Sequence, residues 1–328
     1  MDGLERLAVR VSKDRAEEVR RMLVRENLFD GSRGIVREGE TVLIPVRASP
    51  GQGLEVVEAE LPVSRRLKTP FLRAAFDVVG WVAVVNDMDM SYDAAVELAR
   101  DIVRRHPRVR TVLQKTGEVA GEERVASYRV LLGDPCTETT HRESGCLFRL
   151  DVAKTFFSPR LSGERIRVAS QVGEHEKVLD MFAGVGPFSI IIARRKPSAT
   201  VFAVEKNPDA FKYLCINVEL NKAVGRVKPL HGDSAEVVPR LDTEFNRIIM
   251  NLPHSSVKYL PTAVQKAAPQ AVVHLYVVEE RASPGSVLDC VLKSFSQLRP
   301  LDGRVVKEVS PKYVMKVYDL RVVSTGFN

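Results

Sequence analysis

Short apolar runs alternate with longer mixed segments over residues 177–298, and this alternation restricts the fold more than any other feature. The runs are rich in Val, Ile and Leu, and we expect them to be strands. Near-continuous apolar strands separated by helices indicate a parallel sheet that is covered on both faces. The predicted strands are 177–181, 200–205, 226–231, 246–251 and 271–280, and the predicted helices are 187–196, 208–221, 234–240, 257–268 and 284–298.

Residues 303–323 contain two further strand candidates, joined around Ser310-Pro311 with no helix between them. Strands joined by a short connection pair antiparallel, so the sheet is expected to end in an antiparallel hairpin. The expected fold class is therefore α/β, with the alternating region forming one domain over residues 159–328.

Two smaller α+β units are expected before that domain. Residues 1–65 contain an alternating strand and then a helix for which Ser12 is the candidate N-cap. Residues 66–76 have clustered Arg and no clear period, which is typical of a linker. Residues 77–158 begin close to a strand candidate, "FDVVGWVAVVN", continue into an amphipathic helix, and contain further strands, of which "TTHRESGCLFRLDVA" is one.

The composition favours a globular protein with a polyanionic partner. Of the 328 residues, 45% are hydrophobic and 28% charged, and the net charge is +7. Residues 160–328 carry 24 basic and 17 acidic side chains, so the whole excess lies there, which suits a nucleic acid or merely a solubilised surface. No apolar run approaches the roughly 20 residues of a membrane helix, and no signal pattern is present, so we expect a cytoplasmic protein without membrane contact. The cysteines show no C-x-x-C spacing, and no metal site is expected.

The segment "VLDMFAGVGPFSI" (178–190) has the context of a ligand-binding loop. Gly184 and Gly186 follow the first predicted strand and precede a helix, whose free N–H groups can face a ligand. A phosphate loop would need Gly-Lys-Ser/Thr, and a nicotinamide loop prefers a third glycine where Ser189 stands. Asp180 would repel a pyrophosphate but attract an ammonium. These residues favour S-adenosylmethionine (AdoMet), which has an ammonium and no phosphate.

Acidic residues also end the next two strands. Glu205 follows Gly186 by 19 residues, where an acidic side chain accepts hydrogen bonds from ribose hydroxyls. Asp233 ends the third strand and can accept from the adenine amine. Such residues are also common helix caps, but all lie at the carboxyl edge, where ligands of open α/β sheets bind. We expect further cofactor contacts from Phe156, Arg165, Phe182, Lys206, Asn207, Ser234, Asn251 and Pro253.

The motifs "DMFAGVGPFS", "NLPHSS" and "FFSPRLSGERIRV" together resemble the archaeal and eukaryal tRNA (guanine-37, N1) methyltransferases. The resemblance covers essentially the whole chain. It implies a class I (Rossmann-like) AdoMet-dependent methyltransferase domain with strand order 3-2-1-4-5-7-6, preceded by two smaller α+β domains. The implied activity is methyl transfer to N1 of the guanosine 3′ to the anticodon.

That reaction needs a general base, because N1 of guanine carries a hydrogen, and a group that stabilises negative charge on O6. The resemblance assigns Glu164 as the base, Arg124 as the O6 stabiliser and Asn251 as a residue that holds the guanine. Arg160 and Arg165 flank Glu164, and either could hold a phosphate or orient the carboxylate. The alternative for Arg160 and Glu164 is an ordinary solvated i,i+4 pair.

Two residues depart from the family pattern. Phe156 stands where some relatives have tyrosine, and His254 follows Asn-Leu-Pro where others carry lysine or another residue. Pro253 and His254 are nevertheless candidate substrate-binding residues, with His254 a turn cap in the alternative. The resemblance implies that residues 1–65 bind the outer corner of tRNA, while basic residues of the C-terminal half hold the anticodon stem and loop.

Several alternatives stay open. Related enzymes also methylate C7 of 4-demethylwyosine at the same nucleotide, or transfer an aminocarboxypropyl group. A small-molecule or protein methyltransferase is a second class, and a non-enzymatic RNA-binding protein is a third. We expect a monomer.

Overall fold

A computed structural model describes residues 6–26, 28–30, 33–51, 53–62, 76–117 and 127–323. The chain separates into two compact units, Met1–Ala74 and Ala75–Asn328. Nearly all of the linker predicted over residues 66–76 lies outside the described residues, and the predicted domain boundaries stay predictions. No helix in the described part is long and apolar enough to cross a membrane.

The first unit has an antiparallel sheet with a helix packed on it. Its described elements are β1 (Arg6–Ser12), α1 (Ala16–Arg25), β2 (Val36–Glu38), β3 (Thr41–Pro45) and β4 (Glu55–Ala59), and the strand order is β2-β3-β1-β4. Val9 of β1 and Leu23 of α1 belong to its buried core. The prediction that Ser12 caps the helix is wrong. Ser12 ends β1, where it pairs with Thr41, and α1 follows Arg15, whose side chain makes no capping bond.

The second unit begins with a mixed sheet of the order β5-β6-β7-β8 and a helix. Its elements are β5 (Phe76–Val79), β6 (Val82–Val85), α2 (Tyr92–Arg105), β7 (Thr111–Lys115) and β8 (Tyr128–Gly133). The single strand predicted from "FDVVGWVAVVN" is in fact the β5–β6 hairpin. Its turn contains Gly80 at φ +59°, where a Cβ atom would lie 2.2 Å from Oγ1 of Thr139 and 2.6 Å from the carbonyl oxygen of Thr140. Glycine therefore interrupts the strand because the backbone of another segment passes too close for a side chain.

The larger sheet has the predicted order. In chain order its region contains β9 (Glu138–Glu143), β10 (Cys146–Asp151), α3 (Ser162–Gln171), β11 (Lys177–Asp180), α4 (Pro187–Arg195), β12 (Thr200–Glu205), α5 (Pro208–Leu220), β13 (Val227–His231), α6 (Ser234–Val237), β14 (Phe245–Met250), α7 (Ser256–Gln265), β15 (Ala267–Glu280), α8 (Ser286–Ser294), β16 (Leu298–Glu308) and β17 (Tyr313–Val322). The order β13-β12-β11-β14-β15-β17-β16 is 3-2-1-4-5-7-6. β11 to β15 are parallel, and β17 runs antiparallel to both neighbours. The α/β class and the terminal hairpin are confirmed.

Both faces of this sheet are covered, which explains the near-continuous apolar strands. Successive residues of a strand point to opposite faces, so Val178 packs in the core on one side and Leu179 in the core on the other. Both side chains are fully buried. Truncating such a residue to alanine costs about 2–5 kcal/mol. The strand ends at the carboxyl edge are therefore held rigidly.

Three predicted helices are shorter than expected. The segment 234–240 is α6 followed by a 3-10 turn, Val238–Arg240, because Pro239 cannot continue the hydrogen bonding of α6. The segment 257–268 is α7, which starts one residue earlier and ends at Gln265. The segment 284–298 is α8, because Leu298 already pairs with Val322 in the sheet.

β9 and β10 form a two-stranded antiparallel ribbon where one strand was predicted. The free edge of β10 is covered by two asparagine side chains and not by a strand. Asn217 lies in α5, and Asn221 is the C-cap residue of that helix. The Asn221 amide accepts from the N–H of Leu147 and donates to its carbonyl, and the Asn217 amide does the same with Arg149. Asn217 also donates to the carbonyl of Val185. The ribbon is thus hydrogen-bonded to the domain that carries the glycine loop.

Candidate active site

A cavity opens at the carboxyl edge of the seven-stranded sheet. Its walls come from the segments that follow β11, β12, β13 and β14, together with the start of α3 and the segment before it. Ten of the residues predicted to bind cofactor line it: Phe156, Arg165, Phe182, Gly184, Glu205, Lys206, Asn207, Asp233, Ser234 and Asn251. The predicted residues Asp180, Gly186 and Pro253 are not among the lining residues. The strand ends therefore converge on one site, while the individual roles stay predictions.

The two loop glycines serve different purposes. Gly184, at φ +56°, lines the cavity, and its N–H donates to Oε2 of Glu205 at 2.6 Å. Gly186, at φ +90°, precedes α4, and a Cβ atom there would lie 2.6 Å from Cδ1 of Leu214. Gly186 thus allows α4 to pack closely against α5, and Gly184 allows the loop to turn toward the cavity.

Glu205 is held in place from both sides. Its Oε1 accepts from the N–H of Asn207 at 2.8 Å, while Oε2 accepts from Gly184. Asn207 in turn caps α5 by accepting from the N–H groups of Asp209 and Ala210. A carboxylate oriented in this way at the carboxyl edge of the sheet is placed where an acidic side chain accepts from the two hydroxyls of a ribose.

Asp233 forms the next part of the wall. It caps α6 through the N–H of Ala235, and Lys206 Nζ lies 3.2 Å from its Oδ2. Burial raises the pKa of Asp233, but these partners lower it by more, so it lies below its usual range. Tyr259 donates to the same Oδ2 at 3.4 Å and meets Phe182 edge-to-face at 5.0 Å. The two rings and the carboxylate form an apolar slot with an acceptor, which suits a purine with an amino group.

Asp180 lies beneath the loop and is completely buried. Its Oδ2 accepts from Ser189 at 2.7 Å, but its Oδ1 has no partner among the described residues. Burial, with a smaller contribution from Glu205, raises the pKa of Asp180 to about 7. The predicted contact of Asp180 with a ligand ammonium stays a prediction.

Arg165 is almost fully buried and also lines the cavity. Its Nη1 lies 2.6 Å from the carboxylate of Glu143, its Nη2 donates to the carbonyl of Ser158, and Phe157 faces its guanidinium at 4.7 Å. Burial lowers its pKa, against the opposing effect of Glu143. Its Nε has no hydrogen-bond partner within the described part. An unmet cationic donor and, at Asp180, an unmet acceptor match the carboxylate and ammonium of an amino-acid moiety.

Glu164 is buried on α3, between Leu161 and Arg165, which both line the cavity, but it is not itself a lining residue. Its carboxylate is bound by Arg167, with an Nη2 to Oε1 distance of 2.6 Å, and by the hydroxyl of Tyr276 at 2.7 Å. The expectation that Arg160 or Arg165 orients Glu164 is wrong in this structure, because other carboxylates bind both.

Arg160 pairs with Asp77 at 2.7 Å instead of Glu164, and about half of its side chain is exposed. The solvated Arg160–Glu164 pair is therefore absent from the described contacts. The predicted role of Arg160 in substrate binding stays a prediction.

The segment after β14 reaches the cavity through Asn251. In the register of β14 and β15, Met250 pairs with Leu275. The next residue of each segment, Asn251 after Met250 and Tyr276 after Leu275, therefore comes at the same edge of the sheet. Ser256 fixes the turn by donating to the carbonyl of Met250 and accepting from the N–H of Leu252. The carbonyl of Pro253 accepts from Val278, and His254 is exposed.

Arg124, the predicted O6 stabiliser, lies outside the described residues. Sequence reasoning missed Tyr259, Arg167 and Tyr276. Arg167 carried a weak signal, its i,i+3 spacing from Glu164 on a predicted helix. Tyr276 carried none, since its contact depends on tertiary packing. Within the described ranges, no group of three His, Cys, Asp or Glu residues is arranged to hold a metal ion.

Comparisons with known proteins agree with this geometry. The model of the TRM5/TYW2 methyltransferase domain matches residues 139–297. The models of the tRNA methyltransferase 5 N-terminal domain and of the TYW2 N-terminal domain match residues 8–55 and 59–137. The tRNA (guanine(37)-N(1))-methyltransferase Trm5b of Pyrococcus abyssi is 39% identical over 334 residues, which cover 96% of this chain and 99% of that protein.

Solved structures show the same similarity. The complex of aTrm5 with tRNALeu matches over 96% of this chain and 99% of its own, with a TM-score of 0.69 and 27% identity. The M. jannaschii TYW2 in complex with AdoMet matches over 76% of this chain and 100% of its own, with a TM-score of 0.54 and 26% identity. The chain therefore belongs to the TRM5/TYW2 methyltransferase family.

Proposed function

We propose that this protein is an AdoMet-dependent tRNA methyltransferase that forms 1-methylguanosine at position 37, next to the anticodon. The observation that carries the proposal is one cavity that combines two groups of lining residues. Glu205, Asp233 and the aromatic slot suit a nucleoside, while Asn251 suits the edge of a base, and Arg165 brings the helix of Glu164 to the same cavity. The Pyrococcus abyssi relative, which the chain matches over nearly its full length, carries this activity in its name.

The residues present fit the cofactor. Glu205 holds the ribose hydroxyls, Asp233 accepts from the adenine amine, and Arg165, whose Nε has no partner within the described part, takes the amino-acid carboxylate. Asp180, which is buried beneath the glycine loop and does not line the cavity, is assigned the ammonium through its unpartnered Oδ1. When bound, AdoMet supplies an electrophilic methyl group on a sulfonium. Such a transfer needs no metal ligand from the protein.

The residues assigned to the guanine carry out proton transfer and positioning. The target guanine leaves its stack, as in other base-modifying enzymes, and the amide of Asn251 holds its edge. Glu164 accepts the proton from N1, and the electron pair of the broken N1–H bond stays on the guanine, which makes N1 a nucleophile. Arg124 stabilises the negative charge that gathers on O6.

The remaining surfaces serve tRNA recognition. The first unit binds the outer corner of the folded tRNA, and Arg160, His254 and the basic C-terminal half hold the anticodon loop and stem through phosphate contacts. The protein acts as a monomer in the cytoplasm.

The direct test incubates the full chain with AdoMet and unmodified tRNA, followed by mass spectrometry of the nucleosides. We expect 1-methylguanosine at position 37, and no product when that guanosine is replaced by adenosine. Equal methyl incorporation into both tRNAs would contradict the assigned nucleotide.

The Glu164→Gln variant tests the base. We expect a single-turnover rate about 100-fold lower or more, within the range of general-base effects, with AdoMet affinity unchanged. Glu176→Gln is the matched control, since Glu176 is also paired with an arginine, Arg247 at 2.9 Å, and does not line the cavity. A normal rate in Glu164→Gln would remove Glu164 as the base.

A second candidate is methylation of C7 of 4-demethylwyosine, or aminocarboxypropyl transfer to it. The support is that one family model describes both the TRM5 and the TYW2 methyltransferase domains. A tRNA that carries 4-demethylwyosine separates the three outcomes, because the mass of the product nucleoside shows a methyl group, an aminocarboxypropyl group or no addition.

A further inference from the structure

Buried charged and polar groups form a continuous chain that ends at Glu164. Nη1 of Arg247 lies 2.9 Å from Nε2 of His274, and Nδ1 of His274 lies 2.6 Å from Oδ1 of Asp319. Oδ2 of Asp319 lies 2.6 Å from Nη1 of Arg167, which also binds Glu164. The five residues come from α3, β14, β15 and β17, so tertiary packing brings them together.

The charge states along this chain follow from its contacts. Burial lowers the pKa of His274 despite the opposing effect of Asp319, so the ring is neutral, donating through Nδ1 and accepting from Arg247 through Nε2. Burial raises the pKa of Asp319, but His274 and Arg167 lower it well below its usual range. Two carboxylates, Glu164 and Asp319, therefore share the single guanidinium of Arg167.

The sharing is uneven between the two oxygens of Glu164. Oε1 accepts from Nε and Nη2 of Arg167 and from the hydroxyl of Tyr276. Oε2 accepts only from Nε of Arg167 among the described contacts, at 2.9 Å. A carboxylate oxygen has about two lone-pair positions, so Oε2 is the one with room for a proton.

We propose that Arg167 is a positioning residue for Glu164, and that Asp319 and Tyr276 complete the arrangement. This inference rests on the proposed role of Glu164 as the base. Arg167 and Tyr276 fix Oε1, so that Oε2 takes the proton: the N1–H bond breaks, an Oε2–H bond forms, and the electron pair stays on the guanine. Asp319 draws part of the guanidinium charge away from Glu164, which keeps its carboxylate able to accept that proton.

The signs of three substitutions follow from electrostatics. The groups that face Glu164 or extend from its partners are Arg167, Tyr276, Asp319, His274 and Arg247. Removing the positive charge in Arg167→Gln, or the donor in Tyr276→Phe, disfavours the ionised carboxylate. The acidic limb of the pH–rate profile, where the rate falls on acidification, therefore moves to higher pH. In Asp319→Asn the guanidinium of Arg167 pairs only with the carboxylate of Glu164. The acidic limb therefore moves to lower pH, and the rate at the plateau decreases.

The experiment measures single-turnover methylation of unmodified tRNA by the full chain between pH 5.5 and 9. For Arg167→Gln we expect a rate about 10- to 100-fold lower and an acidic limb of the profile that lies at higher pH than in the wild type. Tyr276→Phe shifts the limb in the same direction by less, and Asp319→Asn shifts it in the opposite direction. Arg226→Gln is the matched control: Arg226 is a half-buried arginine whose guanidinium binds the carbonyls of Ala193 and Lys222, outside this chain of groups and outside the cavity lining, so its pH profile follows the wild type.

A double-mutant cycle decides whether Arg167 acts through Glu164. Adding Arg167→Gln to Glu164→Gln should lower the rate no further, whereas additive losses would overturn the proposal. Equal pH profiles for Arg167→Gln and Arg226→Gln would also overturn it. If Arg167→Gln does not fold, Tyr276→Phe and Asp319→Asn decide, since shifts of the same sign contradict the sharing. A wild-type rate in Glu164→Gln alone would instead overturn the proposed base.

Discussion

Asp180→Asn should change how the stability of the protein depends on pH. Burial raises the pKa of Asp180 from 3.8 to about 7 in the folded protein. Because the folded value exceeds the unfolded one, the stabilisation is complete below the unfolded pKa and is lost as pH rises through the folded pKa. A shift of about three units corresponds to about 4 kcal/mol at most, of which about 2–3 kcal/mol is lost between pH 5 and pH 8.

Asparagine does not titrate, so the variant does not lose free energy of unfolding through this group as the pH rises. Urea unfolding of the AdoMet-free protein at pH 5 and pH 8, followed by circular dichroism, measures the free energy of unfolding of both proteins. From pH 5 to pH 8, the free energy of unfolding of Asp180→Asn relative to that of the wild type should increase by about 2–3 kcal/mol. Any fixed cost of burying the amide is the same at both and cancels.

Asp302→Asn provides the control, since Asp302 is an exposed aspartate paired with Arg304. Its free energy of unfolding should follow the wild type across the same pH range. A pH-independent difference between Asp180→Asn and wild type would refute the reasoning, because it would mean that Asp180 is ionised in the folded protein at pH 5.

Three further predictions concern the cavity and its support. Gly186→Ala should lower the free energy of unfolding by about 2–4 kcal/mol, because its Cβ would overlap Leu214 at a left-handed φ; an unchanged melting temperature would contradict this. Tyr259→Leu should weaken AdoMet binding about 10-fold in equilibrium titrations, since it removes a ring of the slot and a donor to Asp233. Asn217→Ala should destabilise the protein by about 3 kcal/mol in chemical unfolding, because three backbone groups lose their partner.

The order of the large sheet followed from the motif resemblance, and its parallel strands from the alternation of apolar runs. Boundaries were harder, because they depend on pairing partners that are distant in the chain. β16 begins at Leu298 and includes Pro300, a residue that argues against a strand when read locally. The structure places β16 at the sheet edge, where proline is tolerated.

The candidate site was likewise predictable from the sequence only in part. Glu205, Asp233 and Asn251 were predictable, because residues that end parallel strands must meet at one edge of the sheet. The environment of Glu164 was not predictable, because Tyr276 and Asp319 lie 112 and 155 positions further along the chain. Local spacing therefore indicated which residues gather at the cavity, and only the fold showed which of them touch.

The paired amides of Asn217 and Asn221 have a consequence for dissecting this enzyme. They satisfy the backbone of β10 as a neighbouring strand would, and one of them also holds the loop at Val185. A fragment cut between residues 158 and 159 would leave the ribbon with a bare hydrogen-bonding edge, open to pairing with other chains. It would also strip the cofactor domain of a stretch that covers α5. Truncations that keep the whole second unit, Ala75–Asn328, should therefore remain monodisperse, while those that begin after 151 should aggregate.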